Sequence, residues 1–184
     1  MIRGEKIGLR ARRESDVAVL HTQLYEHVPT RVRTSDRPWR PIAVDSPYSP
    51  FGVKEPSDEK AVFSVEELAS GELAGAALLW SIDALNRSAH LGISVLPAFR
   101  GRGLGTDVVR VLCEYGFAVL NLRRLQLETL ADNAAMIAAA TGAGFRHEGT
   151  LRRSAWVYGQ ELDEVVYGLL YEDWAPRGVP RSTG

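Results

Sequence analysis

Residues 91–106 constrain this chain more than any other stretch. An apolar run at 91–96 predicts a strand. It feeds Arg100-Gly101-Arg102-Gly103-Leu104-Gly105-Thr106, three glycines in five residues, which opens onto an apolar-periodic segment at 107–120 that predicts a helix. Closely spaced glycines let a ligand approach the backbone, because no side chain shields the amides. The first turn of a helix leaves N–H groups without intrahelical partners, and aligned peptide dipoles make that end partly positive. The sum is an anion site suited to phosphate or pyrophosphate, with Arg100 and Arg102 adding cations at its mouth. The plainer alternative is a glycine-rich turn, but three glycines exceed what such a turn needs.

Two familiar phosphate motifs do not fit. The dinucleotide fingerprint G-x-G-x-x-G requires a third glycine where Val108 stands. A P-loop requires Gly-Lys-Ser/Thr, and no lysine lies near the loop in the sequence. The spacing present is Arg100-x-x-Gly103-x-Gly105.

At 184 residues, 45% hydrophobic and 24% charged, the chain reads as a single globular domain over 1–175. A flexible tail is expected at 176–184. A net charge of −1 offers nothing to nucleic acid or an anionic membrane. The single cysteine, Cys113, excludes an internal disulfide and a Cys-based zinc site and reads as a buried thiol. The first residues carry no apolar signal core, and the longest apolar stretch, 73–80, is too short to span a bilayer. A cytoplasmic protein is expected.

Along the chain, 7–11 alternates as a strand, and Glu14 or Ser15 can cap a helix reaching Leu24. Residues 26–59 are polar and proline-rich, with Trp39, Tyr48 and Phe51 set among six prolines; a long irregular segment is expected there, either lining a pocket or forming a surface excursion. Strands follow at 61–67, 73–80 and 89–96, then a helix at 106–119 and a strand at 124–130. An alanine-rich helix is expected from Asn133 to about Gly142, and a last strand pair at 145–158 and 164–170 turning at Gly159. This order predicts an α/β (α+β) fold with a mixed sheet.

With the elements in order, the motifs resemble the GNAT superfamily of N-acetyltransferases. Arg100-x-x-Gly103-x-Gly105 is similar to its R/Q-x-x-G-x-G/A acyl-CoA signature. Leu127-Glu128 followed by Asn133-Ala134-Ala135-Met136-Ile137, then Ala143-Gly144-Phe145, then Gly149-Thr150-Leu151-Arg152 with Gly159 and Asp163, resembles the branch that includes the Rim-like acetyltransferases of ribosomal-protein N-termini. The resemblance covers roughly 9–174. It implies a mostly antiparallel sheet of six to seven strands flanked by helices, and acetyl-CoA as acetyl donor. It further implies that Gly101, Arg102, Gly103, Leu104, Gly105 and Thr106, with Arg100, hold the pyrophosphate. Ile93, Ser94 and Val95 would lie along the pantetheine arm, with Asn133 beside it. A homodimer is common among such relatives.

Acetyl transfer to an amine needs a held donor, a route for the ammonium proton and stabilisation of the oxyanion. Two bases compete. Glu128 aligns with a glutamate serving the amine in some N-terminal acetyltransferases, whereas His90 stands where glutamate is frequent and is a side chain that titrates near neutrality. Asn133 also suits a helix N-cap. The position where many members carry a thiolate-protonating tyrosine holds Ala140; Thr141, Ser154 and Tyr158 are the nearby hydroxyls. An α-amine, with a pKa near 8, loses its proton more readily than a lysine near 10.4, so a site without a certain base favours a protein or peptide N-terminus. The alternatives are a small-molecule acceptor, with Asp36, Asp45, Asp58 and Glu59 available to a polyamine or aminoglycoside, and a non-catalytic acyl-CoA-binding module.

Overall fold

The computed structural model describes residues 1–35 and 37–175. Eight strands form one sheet: β1 (Ile2–Arg3), β2 (Ile7–Arg10), β3 (Lys60–Glu67), β4 (Leu73–Asp83), β5 (Ser88–Val95), β6 (Arg124–Leu130), β7 (Arg146–Val157) and β8 (Gln160–Leu170). Their spatial order is β1-β2-β3-β4-β5-β6-β8-β7. Every neighbouring pair is antiparallel except β5–β6, which is parallel because a helical crossover joins them. The expected mixed, mostly antiparallel sheet is present, with eight strands rather than six to seven. The additional strand, β1, is two residues long and pairs with Gly8 and Leu9, too short to carry an alternation in the sequence.

Helix α1 (Glu14–Leu20) runs into a π-helical turn at His21–Tyr25, so the expected single helix changes its hydrogen-bond register after Leu20. Helix α3 (Leu104–Glu114) likewise continues as a π-helical turn at Tyr115–Val119. A short helix, α2 (Val28–Arg31), capped by the His27 side chain, interrupts the segment expected to be irregular throughout. Helices α4 (Ala134–Gly142) and α5 (Tyr171–Trp174) complete the set.

Strand period places alternate residues on opposite faces of the sheet. One face carries Leu79, Leu91, Leu125, Leu127 and Leu169, each essentially sealed from solvent, against Val108, Val111 and Leu112 of α3. Burying each such side chain contributes about 1.5–3 kcal/mol. Gly116 lets the helix sit close: a Cβ there would lie 3.1 Å from Leu125. The other face is covered at its β2–β3 end by α1. There the buried Asp16 carboxylate accepts two bonds from the Arg10 guanidinium, 2.7 and 3.0 Å, and one of 2.8 Å from the Ser64 hydroxyl. The proline-rich segment packs onto this helix. Trp39 Nε1 donates to the Tyr25 carbonyl, the Tyr25 hydroxyl donates to the Arg40 carbonyl, and Phe51 is buried, whereas Tyr48 is exposed.

Candidate active site

The parallel pairing of β5 with β6 is brief. It runs through Ser88↔Arg124, Ala89↔Leu125 and His90↔Gln126 and then stops. Beyond it the strands part, so residues 91–95 and 127–130 flank a wedge. Because the strands are parallel, both end on the same side, and the helices that follow them, α3 and α4, both begin there. In open α/β sheets a crevice beyond the strand carboxyl ends is where ligands bind.

The glycine loop closes one side of this wedge. Gly101 and Gly103 sit in the left-handed region, with φ of 75° and 76°, a conformation that costs any other residue strain. Gly103 caps α3 without any side-chain bond, so no side chain occupies the amides of the first turn, formed by Leu104, Gly105 and Thr106. Gly105 differs: its φ is ordinary, and a Cβ would rest 3.5 Å from Ile93 and 3.8 Å from Ala139. An uncapped, glycine-lined helix start suits the pyrophosphate of an acyl-CoA.

Three cations surround the loop. Arg100 Nε donates to the Val95 carbonyl at 3.1 Å, and Arg102 pairs with Glu67 at 3.3 Å while lying 5.0 Å over the Phe99 ring. The third is Lys6, whose Nζ donates to the Arg102 carbonyl at 3.2 Å. Lysine is thus absent from the loop in sequence but present in space. Its anchor is Asp107, buried in the first turn of α3, whose carboxylate accepts the amides of Glu5, Lys6 and Ile7 at 3.2, 2.7 and 3.0 Å. An acidic residue in a helix's first turn is ordinary, so nothing in the sequence flags it as a tether. Glu5, Lys6, Glu67, Leu68, Ala69, Arg102 and Leu104 line a groove of about 410 Å³.

Ile93, Ser94 and Val95 lie on the wedge side of β5 and pair with Ala77, Ala76 and Gly75 of β4. Asn133 stands across the opening at the start of α4. Its side chain accepts from the Met136 amide at 3.2 Å and donates to the Thr129 hydroxyl at 2.9 Å, so it is a helix cap whose amide is oriented from both ends.

His90 and Glu128, the two candidate bases, meet at the apex where β5 and β6 separate. His90 Nδ1 is 3.9 Å from Glu128 Oε1, and both side chains are about a third exposed, 32% and 39%. The imidazole also lies against Trp80, ring centroids 5.5 Å apart. Ala140 is wholly buried, so no hydroxyl stands at that position. Thr141 donates back to the Ile137 and Ala138 carbonyls within α4, Ser154 donates to the Leu151 carbonyl, and Tyr158 is exposed at the β7–β8 turn.

Lys60, Trp80, His90 and Gln126 pair in one row across the sheet, so they share the face that carries Glu128. Lys60 belongs to a basic group: burial, then the charges of Arg12, Arg37 and Lys54, hold its ammonium below the ordinary lysine range. Burial pushes the Arg12 guanidinium down to about 10, against the pull of Asp16. Among the acidic residues expected near an acceptor, Asp36 lies outside the described residues, as does the tail at 176–184.

The chain is 34% identical over 107 residues to the putative ribosomal N-acetyltransferase YdaF of Bacillus subtilis (strain 168), covering 58% of each chain. It is 34% identical over 95 residues to the spermidine N(1)-acetyltransferase of Escherichia coli (strain K12), covering 52% of this chain and 51% of that one. The matched part therefore spans little more than half the length of these relatives. The fold is shared with spermidine N-acetyltransferase from Vibrio cholerae in complex with CoA and spermine, with a TM-score of 0.77 and 20% identity over 92% of this chain and 98% of that one. It is shared equally with RimL, a ribosomal L7/L12 alpha-N-protein acetyltransferase in complex with coenzyme A, with a TM-score of 0.77 and 19% identity over 92% and 96%. The acetyltransferase (GNAT) domain matches residues 6–146, from the Lys6 tether to the start of β7 and through every element of the wedge; the chain belongs to that family.

Proposed function

We propose that this protein transfers an acetyl group from acetyl-CoA to a primary amine, the acceptor being the α-amine of a protein or peptide N-terminus. The observation that carries the reading is the wedge between β5 and β6, with an uncapped glycine-lined helix start at one side and the His90–Glu128 pair at its apex. The loop 101–106, with Arg100 and Lys6, holds the pyrophosphate, and Ile93, Ser94, Val95 and Asn133 flank the pantetheine. The neutral amine attacks the thioester carbonyl, forming the C–N bond and an oxyanion. Collapse breaks the C–S bond and expels the thiolate. The ammonium proton leaves to the His90–Glu128 pair, while water protonates the thiolate, a fair leaving group with a pKa near 8.5, since Ala140 offers no acid.

The basic group of Arg12, Arg37, Lys54 and Lys60 beside the same row supports an N-terminal acceptor over a polyamine, because clustered like charges repel a polycation. An acceptor screen read by thiol release tests this. A peptide with a free N-terminus should turn over, and the same peptide blocked at its α-amine should not. Preferred turnover of spermidine overturns the acceptor assignment. Tight acetyl-CoA binding without thiol release to any amine makes the chain a binding module instead.

A further inference from the structure

Beyond the wedge, the sheet face carrying Glu128 holds a continuous line of polar side chains that ends on Glu128 and whose other members the proposed chemistry does not use. On β6, Arg124, Gln126 and Glu128 alternate onto one face, each two residues from the next. Arg124 Nη2 donates to Gln126 Oε1 at 2.8 Å, and Gln126 Nε2 donates to Glu128 Oε1 at 2.8 Å. The amide is polarised in one sense. With its oxygen held by a guanidinium, its NH₂ group must face the Glu128 carboxylate.

The far end of the line is built as deliberately. Arg124 is gripped by both oxygens of Glu148, Nη1 donating to Oε1 at 2.8 Å and Nη2 to Oε2 at 2.5 Å. That grip raises the guanidinium's affinity for its proton and lowers that of the carboxylate. Glu148 reaches Arg124 through two local devices. It is the extra residue of a β-bulge, since His147 pairs with Tyr167 and Gly149 with the next residue, Val166. A bulge re-aims a side chain. Its carboxylate then lies over Gly168, the residue opposite Gln126; a Cβ on Gly168 would come within 2.2 Å of Oε1.

We propose that Gln126 is a positioning residue for Glu128, held in register by Arg124 and, through the bulge and Gly168, by Glu148. The inference rests on Glu128 belonging to the proton-accepting pair. Its physical content is that a carboxylate more than a third exposed would otherwise sample several rotamers, whereas one anchored oxygen fixes which oxygen faces the wedge.

Two variants test it. Gln126→Glu places a like charge against Glu128, and Gly168→Ala displaces the Glu148 carboxylate without touching Glu128. Side-chain carboxyl NMR should show the Glu128 titration moving upward by about half a pH unit or more in Gln126→Glu. With acetyl-CoA affinity by calorimetry unchanged, kcat should fall about tenfold in Gln126→Glu and several-fold in Gly168→Ala. Combining Gln126→Glu with Glu128→Gln should be no slower than Glu128→Gln alone. An unmoved Glu128 titration, or additive losses in the double variant, overturns the relay. A Glu128→Gln variant as fast as wild type overturns the base assignment instead, and the NMR shift still reports whether Gln126 grips Glu128.

Discussion

Replacing Asp107 by asparagine tests whether one carboxylate ties the N-terminal strand to the start of α3. Asp107 is 6% exposed and its carboxylate takes three backbone amides: Oδ1 accepts Glu5, and Oδ2 accepts Lys6 and Ile7. Asparagine offers a single acceptor oxygen. Oriented to keep Lys6 and Ile7, it points its own NH₂ at the Glu5 amide, donor against donor. The Glu5 bond is lost, about 1 kcal/mol, and the two surviving bonds lose their charge assistance, about 1 kcal/mol each. The total is about 3 kcal/mol. For a chain of this size each kcal/mol moves Tm by roughly 2–4 °C, so calorimetry should show a fall of about 6–12 °C. Gly4→Ala should act on the same contact, since a Cβ there would stand 2.6 Å from Oδ2 and 2.7 Å from Val111. Because the tether also sets Lys6 beside the loop, the acetyl-CoA Kd of folded Asp107→Asn should rise several-fold. A Tm within about 2 °C of wild type would refute the tether argument.

Burial alone would raise the Asp16 carboxyl, but Arg10, the Arg13 amide and Ser64 together bring it down to about 2. A depressed folded pKa gives stability that is present above the ordinary carboxylate value and lost as pH falls through the folded one. About 2 kcal/mol should therefore disappear between about pH 4 and pH 2 in urea titrations of wild type, and be absent from the pH slope of Asp16→Asn. Gly103→Val forces a β-branched residue to a φ of 76°, and should weaken acetyl-CoA binding at least about tenfold by calorimetry. Gly105→Ala, at an ordinary φ and with room for a Cβ, should leave Tm unchanged or raise it slightly. Cys113, 1% exposed with its thiol pushed up to about 12 by burial, should react with a disulfide reagent only as fast as the chain unfolds, so modification of the native protein within minutes at pH 8 would contradict its burial.

The elements around the loop were legible because each carries its signal locally. The apolar run into Arg100-Gly101-Arg102-Gly103 marked a strand, a glycine-rich loop and a helix start, since glycine spacing and apolar period are properties of neighbouring residues. Asn133 was readable as a cap for the same reason. Alternation along β6 was visible too, because period two needs no partner strand. What the sequence could not reveal are relations between residues far apart in it. Lys6 joins the loop only because Asp107, about a hundred positions later, accepts the amides beside it. His90 and Glu128 read as rivals because nothing in a linear chain tells that β5 and β6 are parallel neighbours registered at His90↔Gln126. Glu148 carries no signal in its neighbours; a bulge in β7 and the missing side chain of Gly168 turn it onto Arg124. Sequence fixes backbone preference and the face each residue prefers, which are short-range energies. Which faces meet, and therefore which charges share a site, is decided when strands pair and the chain closes over its core.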